Sequence, residues 1–223
     1  MNDRPGPFRV GLTRDLATAA GAPSFGAAPL RLLDDADGIE WEYLPVVTGA
    51  LTAADAARYD ALYVASAQVP AAAVAGPDLR VKLIARHGVG FDAVDVPAMS
   101  ARGVLVTNTP DAVRRPVATA ALTYVLALAQ KLLIKDRLTR AGRWHERTGH
   151  MGMGLTGRRL GVVGAGSIGC ETLRLARVLD LELLAADPYA DPAAIAALGA
   201  RLVPLETLLA EADFVCVTCA LTP

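Results

Sequence analysis

Two parallel β-sheets, each wound with helices on both faces, are the α/β fold that this chain of 223 residues predicts. Short apolar runs rich in β-branched residues alternate with Ala- and Leu-rich stretches from one end to the other, the pattern of βα units feeding a parallel sheet. Nothing reads as a long linker between them. The stretch NTPDAVRRP, from Asn108 to Pro116, groups a turn-former, prolines and arginines and splits the alternation into two series. Two domains are therefore expected, 1–109 and 110–223, with the change of domain at that stretch.

In the first series the candidate strands are FRVGL (8–12), WEYLP (41–45), ALYVA (61–65), VKLIAR (81–86) and VLVT (104–107), with helical stretches between them. Together they make one small doubly wound unit. The apolar run VATAALTYVLALA (117–129) is too short to span a bilayer and runs into Gln130 and Lys131, so it reads as a buried helix. RAGRWHERTGHMGMGLTGRR (140–159) is rich in Gly and polar residues and reads as a loop delivering the chain into a second sheet. From there the pattern is strand 160–163, helix 167–179, strand 181–186, helix 192–198, strand 201–203, helix 205–210 and strand 214–218. A dinucleotide-binding sheet normally has two mononucleotide halves, so a pattern that stops after its fourth strand is expected to leave an unpaired edge and an incomplete domain.

Composition bounds the partners. With 53% hydrophobic residues and a mean hydropathy of +0.35, the chain can bury a core in each domain. A net charge of -1 and a pI near 6.3 supply no basic footprint for nucleic acid. Three cysteines, Cys170, Cys216 and Cys219, are too few for a disulfide framework, and MNDRPGPFRV lacks the apolar core of a leader. A reducing cytoplasm, no membrane and small-molecule partners are the expectation.

GAGSIG sets Gly164, Gly166 and Gly169 at G-x-G-x-x-G spacing, directly after an apolar strand and at the head of a helix. Gly164 permits the tight turn, Gly166 lets a pyrophosphate approach bare backbone, and Gly169 lets the helix pack closely on the strand. The helix N-terminus, with Ser167 and Ile168 in its first turn, offers unpaired N–H groups to phosphate. Asp187 closes the next strand, followed by Pro188, where a carboxylate can accept both adenosine-ribose hydroxyls. A carboxylate there repels a 2′-phosphate, and no arginine stands beside it, so NAD is favoured over NADP. In the first domain, Gly88, Val89 and Gly90 follow a strand and read either as a small anion cradle of backbone amides or as an ordinary βα turn.

RHGVGFDAVDVPAMSARGVLVTNTP (86–110), the helix PVATAALTYVLALAQ, GRW at 142–144, GAGSIG and ADPY at 186–189 together resemble the D-isomer-specific 2-hydroxyacid dehydrogenases. The similarity runs over nearly the whole chain, and GVGFDAVDV followed by GVLVTNTP is its most specific part. The resemblance implies a flavodoxin-like substrate domain followed by a Rossmann NAD-binding domain. It also implies hydride transfer between NAD and a small 2-hydroxy or 2-oxo acid, with Val89 and Gly90 offering amides to the substrate carboxylate. The helix region from Val117 to Leu133 would lie in a homodimer interface, or else be buried in its own domain.

The chain departs from the family pattern in several places. The family often has Glu where Thr119 sits, His where Thr218 sits and Pro where Ala220 sits. Its catalytic arginine, glutamate and histidine lie beyond the segment matching CALTP, so no catalytic residue is expected within this chain and turnover by it is not expected. His87 precedes the glycines of the first domain and reads as a packed strand-end residue or a substrate contact. His145 and His150 in WHERTGH are spaced i and i+5, which turns the second imidazole about 100° away on a helix, so loop residues are expected rather than a metal pair. Cys216 and Cys219 on a strand would face opposite ways and read as buried small apolar residues.

Other classes stay open at this level. One is a non-catalytic NAD-responsive protein similar to the dehydrogenase-like corepressors, and another is a partial gene product with an exposed sheet edge. A Rossmann enzyme of another class, such as a methyltransferase, is disfavoured by the glycine spacing.

Overall fold

The structure, a computed structural model, describes residues 6–45 and 49–220. The first residues of MNDRPGPFRV and the last of CALTP lie outside that range. The described residues form two compact units that part between Thr109 and Pro110.

The first unit is a five-stranded parallel sheet of β1 (Phe8–Leu12), β2 (Ile39–Tyr43), β3 (Ala61–Val64), β4 (Leu83–Arg86) and β5 (Leu105–Thr107), in the order β2-β1-β3-β4-β5. That is the flavodoxin-like order, and it reverses direction between β1 and β3. Three short α-helices lie between the strands: α1 (Arg31–Asp34), α2 (Ala53–Arg58) and α3 (Val96–Ala101). Local chemistry starts the last two. Thr52 caps α2 through a reciprocal pair with Asp55, and the Asp95 carboxylate accepts the Ala98 N–H at 3.0 Å ahead of α3. One face of the sheet buries Leu62, Val64, Ile84, Tyr59 and Met99, while the other gathers Leu12, Leu16 and Leu30 with Tyr43 and Tyr63. Asp60, almost fully buried, accepts the Arg9 amide at 2.8 Å and pairs with Arg80 at 2.6 Å.

The second unit begins with α4 (Pro110–Ala129) and α5 (Leu132–Arg140), then a 3-10 turn at Trp144–His150. Its sheet contains β6 (Arg159–Val163), β7 (Glu182–Ala186), β8 (Ala200–Leu202) and β9 (Phe214–Val217), with α6 (Ser167–Ala176), α7 (Pro192–Ala197) and α8 (Leu205–Glu211) between them. All pairings are parallel, in the order β8-β7-β6-β9. The chain leaves β6 for β7 on one side and returns to β9 on the other, so the switch point lies between β6 and β9, above their carboxyl ends.

Two expectations change. NTPDAVRRP, expected ahead of the apolar helix, is itself helical from Pro110 onward, because proline at a first helical position forgoes an N–H that would be unpaired anyway, and α4 continues through Pro116. The 117–129 run is only half buried. Ala118, Leu122, Val125 and Ala129 form a stripe at helical spacing that packs α4 on the second core beside α6. The opposite side leaves Tyr124 and Leu128 each 69% exposed, because a helix lying on one layer has only one face covered. Among the described residues no single helix is long and apolar enough to cross a membrane. The α4–α5 pair reaches that composition only across a 63° bend, where Lys131 is left-handed at φ 51.

On β9, Val217 is 71% exposed, and β6 is the strand's one partner among the described residues.

Candidate dinucleotide-binding site

β6 delivers the chain into the glycine loop at the switch point. Gly164 sits at φ +89, and its amide donates to the Ala186 carbonyl at 2.9 Å. A Cβ there would lie 2.7 Å from the Cys219 Cβ, so both backbone conformation and crowding by the chain after β9 require glycine. Gly169, in the first turn of α6, is pressed against the same loop. A Cβ on it would fall on the Gly164 carbonyl oxygen and reach within 2.9 Å of the Thr218 Oγ1. Gly166 differs, with an ordinary φ of -72 and nothing within 4 Å of where its Cβ would be. Gly166 and Ser167 are exposed, and among the described residues no protein group accepts the amides of Gly166, Ser167 or Ile168. Open space thus faces unpaired N–H groups at the positive end of α6, an arrangement suited to a diphosphate.

Asp187 follows β7 and reaches back into this loop. Its Oδ2 accepts the Ala165 amide at 2.8 Å and its Oδ1 accepts the Tyr189 amide at 2.9 Å. Each carboxylate oxygen retains a second lone pair for a ligand hydroxyl. Beside it opens a cavity of about 460 Å³ lined by Val163, Ala186, Asp187, Pro188, Val203, Pro204, Leu205 and Glu206. Its walls are mostly apolar, with Asp187 and Glu206 among the lining residues, which suits a flat heterocycle joined to a sugar. The residues present therefore fit an adenosine diphosphate moiety.

Two contacts at this loop were not legible in the sequence. The Cys170 thiol, pushed up in pKa by burial and by the Asp187 charge, stays a neutral donor and reaches the Ala165 carbonyl at 3.0 Å. The Thr218 hydroxyl donates to the Gly164 carbonyl at 2.6 Å. The cysteine expectation also needs correction: Cys216 is buried but Cys219 is exposed, because β9 ends at Val217 and Cys219 lies past the sheet.

In the first unit, Gly88 turns the chain at φ +129 and is tied to Thr109, whose Oγ1 accepts its amide at 3.0 Å and whose amide donates to its carbonyl at 2.8 Å. Asn108 Nδ2 donates to the Val89 carbonyl at 2.8 Å. Among the described residues no protein group accepts the Val89 or Gly90 amide. The Arg86 guanidinium lies against Gly88, within 3.5 Å of where its Cβ would be, and has no acidic partner among the described residues, which favours an anion. Asp92, with an oxygen 3.0 Å from the corresponding point on Gly90, opposes one. His87 shares a 2.5 Å hydrogen bond through Nδ1 with the Tyr63 hydroxyl and packs on Phe25. His145 and His150 lie on the exposed 3-10 turn, and among the described residues no cluster of three or more His, Cys, Asp and Glu could hold a metal.

Comparison with known proteins agrees with this geometry. Residues 122–223 match the family described as D-isomer specific 2-hydroxyacid dehydrogenase, NAD binding domain. D-3-phosphoglycerate dehydrogenase of Mycobacterium leprae is 36% identical over 209 residues, covering 94% of this chain and 39% of that protein. Glyoxylate reductase of Thermococcus kodakarensis is 37% identical over 149 residues, 64% of this chain and 45% of that protein. The chain thus spans less than half the length of these curated relatives. Among solved structures, apo D-lactate dehydrogenase from Escherichia coli superposes with a TM-score of 0.76 at 26% identity, covering 97% of this chain and 66% of that one. Fold, glycine loop and sequence relatives lead to one assignment: the chain belongs to the D-isomer-specific 2-hydroxyacid dehydrogenase family, and residues 122–223 match its NAD-binding domain.

Proposed function

We propose that this chain supplies the NAD-binding and substrate-docking parts of an oxidoreductase acting on the CH–OH group of small D-2-hydroxy acids. The carrying observation is the junction of β6, β7 and α6. Free amides at Gly166, Ser167 and Ile168 stand beside the open space at Gly166, and Asp187 lines a mostly apolar cavity. In this reading the Gly164–Gly169 loop takes the pyrophosphate and Asp187 takes the adenosine ribose, with Pro188 helping to wall the adenine. When bound, NAD accepts or returns the hydride at its nicotinamide ring. Val89 and Gly90 offer their two free amides to the substrate carboxylate, with the Arg86 guanidinium against the adjoining Gly88 adding positive charge.

His87 is engaged by Tyr63, and the His145–Glu146 pair, 3.6 Å apart, sits exposed on the 3-10 turn. Neither arrangement is a buried histidine–carboxylate pair of the kind proton transfer uses, so the described residues are proposed to bind NAD without carrying the acid–base step. Two copies pair through the exposed side of the Val117 to Leu133 region, in a cytoplasmic setting that suits three free thiols.

Titration calorimetry tests the reading. NAD binds and NADP binds at least tenfold more weakly, because a 2′-phosphate would face Asp187. Asp187→Ala weakens NAD by roughly tenfold or more, as expected for losing a charged hydrogen-bond acceptor. Folded protein that takes up no NAD, or an Asp187→Ala chain that takes it up unchanged, would refute the proposal.

A further inference from the structure

Thr218 occupies the position where the family pattern often has histidine. In this chain it is held where β9 meets the glycine loop, its Oγ1 lying 3.4 Å from the Val163 carbonyl oxygen and closer to that of Gly164. Its amide donates to the Val163 carbonyl at 2.8 Å, continuing the β6–β9 ladder one residue past the strand. Its Oγ1 donates to the Gly164 carbonyl at 2.6 Å. The same oxygen lies 2.9 Å from where a Cβ on Gly169 would stand, so it fills the angle between loop and helix.

The Gly164 carbonyl needs that partner. It is wedged beside Gly169, so close that a side chain on Gly169 would overlap it, and Gly164 itself is buried. A buried carbonyl without a donor carries a desolvation cost that the loop can relieve only by turning the peptide outward. Turning that peptide would rotate the following units, Ala165 and Gly166, whose amides set the geometry facing the diphosphate. The opposite side of the loop is already fixed, since Asp187 holds the Ala165 amide and Cys170 holds the Ala165 carbonyl. The loop is therefore braced from β7, from α6 and from the end of β9, and the last brace is a single hydroxyl.

We propose that Thr218 is a positioning residue for the diphosphate of NAD: its hydroxyl fixes the Gly164 peptide so that the free amides at the head of α6 converge on the phosphates. It need not touch the cofactor. The inference rests on the glycine loop receiving the diphosphate, and the test separates the two. Titration calorimetry with NAD and with ADP-ribose, and saturation-transfer NMR with adenosine, are run on the full chain and on Thr218→Val and Thr218→Ser. Valine keeps the shape and removes the donor, whereas serine keeps the donor.

Thr218→Val is expected to weaken NAD and ADP-ribose alike, by about tenfold, the usual consequence of stranding one buried acceptor. Adenosine, which carries no phosphate, is expected to bind as it does to the parent, and Thr218→Ser is expected to restore NAD affinity. If the parent chain binds neither NAD nor ADP-ribose, the proposed function itself fails. If the parent binds but Thr218→Val binds NAD equally well, or loses adenosine in the same proportion, or Thr218→Ser gives no rescue, the positioning role is overturned. A melting curve for each variant shows that it is folded, and Thr218→Ser keeps the test decisive should valine disturb the fold.

Discussion

The two glycines that bracket the first turn of α6 should respond oppositely to the same added methyl group. Gly169→Ala places a Cβ 3.1 Å from the Gly164 carbonyl carbon, nearer still to its oxygen, and 2.9 Å from the Thr218 Oγ1. Two of these are backbone atoms on a loop already held by Asp187 and Cys170, so α6 must withdraw from β6. Overpacking of this kind costs typically ~1–3 kcal/mol. For a unit of about a hundred residues that corresponds to a fall in melting temperature of roughly 4–20 °C. Gly166→Ala meets nothing within 4 Å, and its φ of -72 is open to any residue, so the melting curve should move by less than about 0.5 kcal/mol in equivalent stability.

Binding should show the reverse pattern. In the proposed reading the diphosphate approaches through the open space at Gly166, so a methyl group there should weaken NAD by well over tenfold without unfolding anything. Differential scanning calorimetry and NAD titration on both variants give the readout. A Gly166→Ala chain that binds NAD normally would refute the placement of the diphosphate. A Gly169→Ala chain that melts normally would refute the packing argument.

Two further outcomes follow from other parts of the second unit. Glu171 on α6 is held by Arg174 at 2.7 Å and by Arg115 of α4 at 3.1 Å, and these guanidinium hydrogen bonds lower its pKa from 4.5 to about 2. A depressed carboxyl stabilises the fold fully above its unfolded value and loses that contribution as pH falls toward the folded one. The parent should therefore lose stability between about pH 4.5 and 2 more steeply than Glu171→Gln, measured by urea unfolding across that window, and parallel curves would refute the linkage. On the exposed side of α4, Leu128→Glu should convert a pairing chain to a monomer in light scattering while leaving its melting onset near that of the parent, since Leu128 is 69% exposed. A parent that is monomeric at every concentration would remove the proposed pairing.

Much of the fold was legible because its signals are local. β1 falls on the predicted residues 8–12, and the second series matches β6 to β9 to within a residue or so, since each strand is a short apolar run bounded by turn-formers. Within residues 108–116 the early start of α4 was not legible, because prolines and arginines read as punctuation, whereas Pro110 sits at a first helical position and Pro116 is carried along by a stripe that packs beside α6. The 117–129 run misled for a related reason: composition states how apolar a helix is, and only its neighbours decide how many of its faces are covered.

At the site the division is just as physical. The sequence by itself determined the glycine spacing, the carboxylate after the next strand and hence the class of ligand, because each follows from a residue type needed at a fixed distance along one βαβ unit. Only the tertiary structure decided that Asp187 also braces the Ala165 amide, that Cys170 and Thr218 hold the two carbonyls of the turn, and that Gly169 is required by an oxygen five residues earlier. Those contacts join β9 to β6 across 54 residues and β7 to the loop across 22. Separations of that size carry no periodic signature, and they come into being only when parallel strands line up their carboxyl ends.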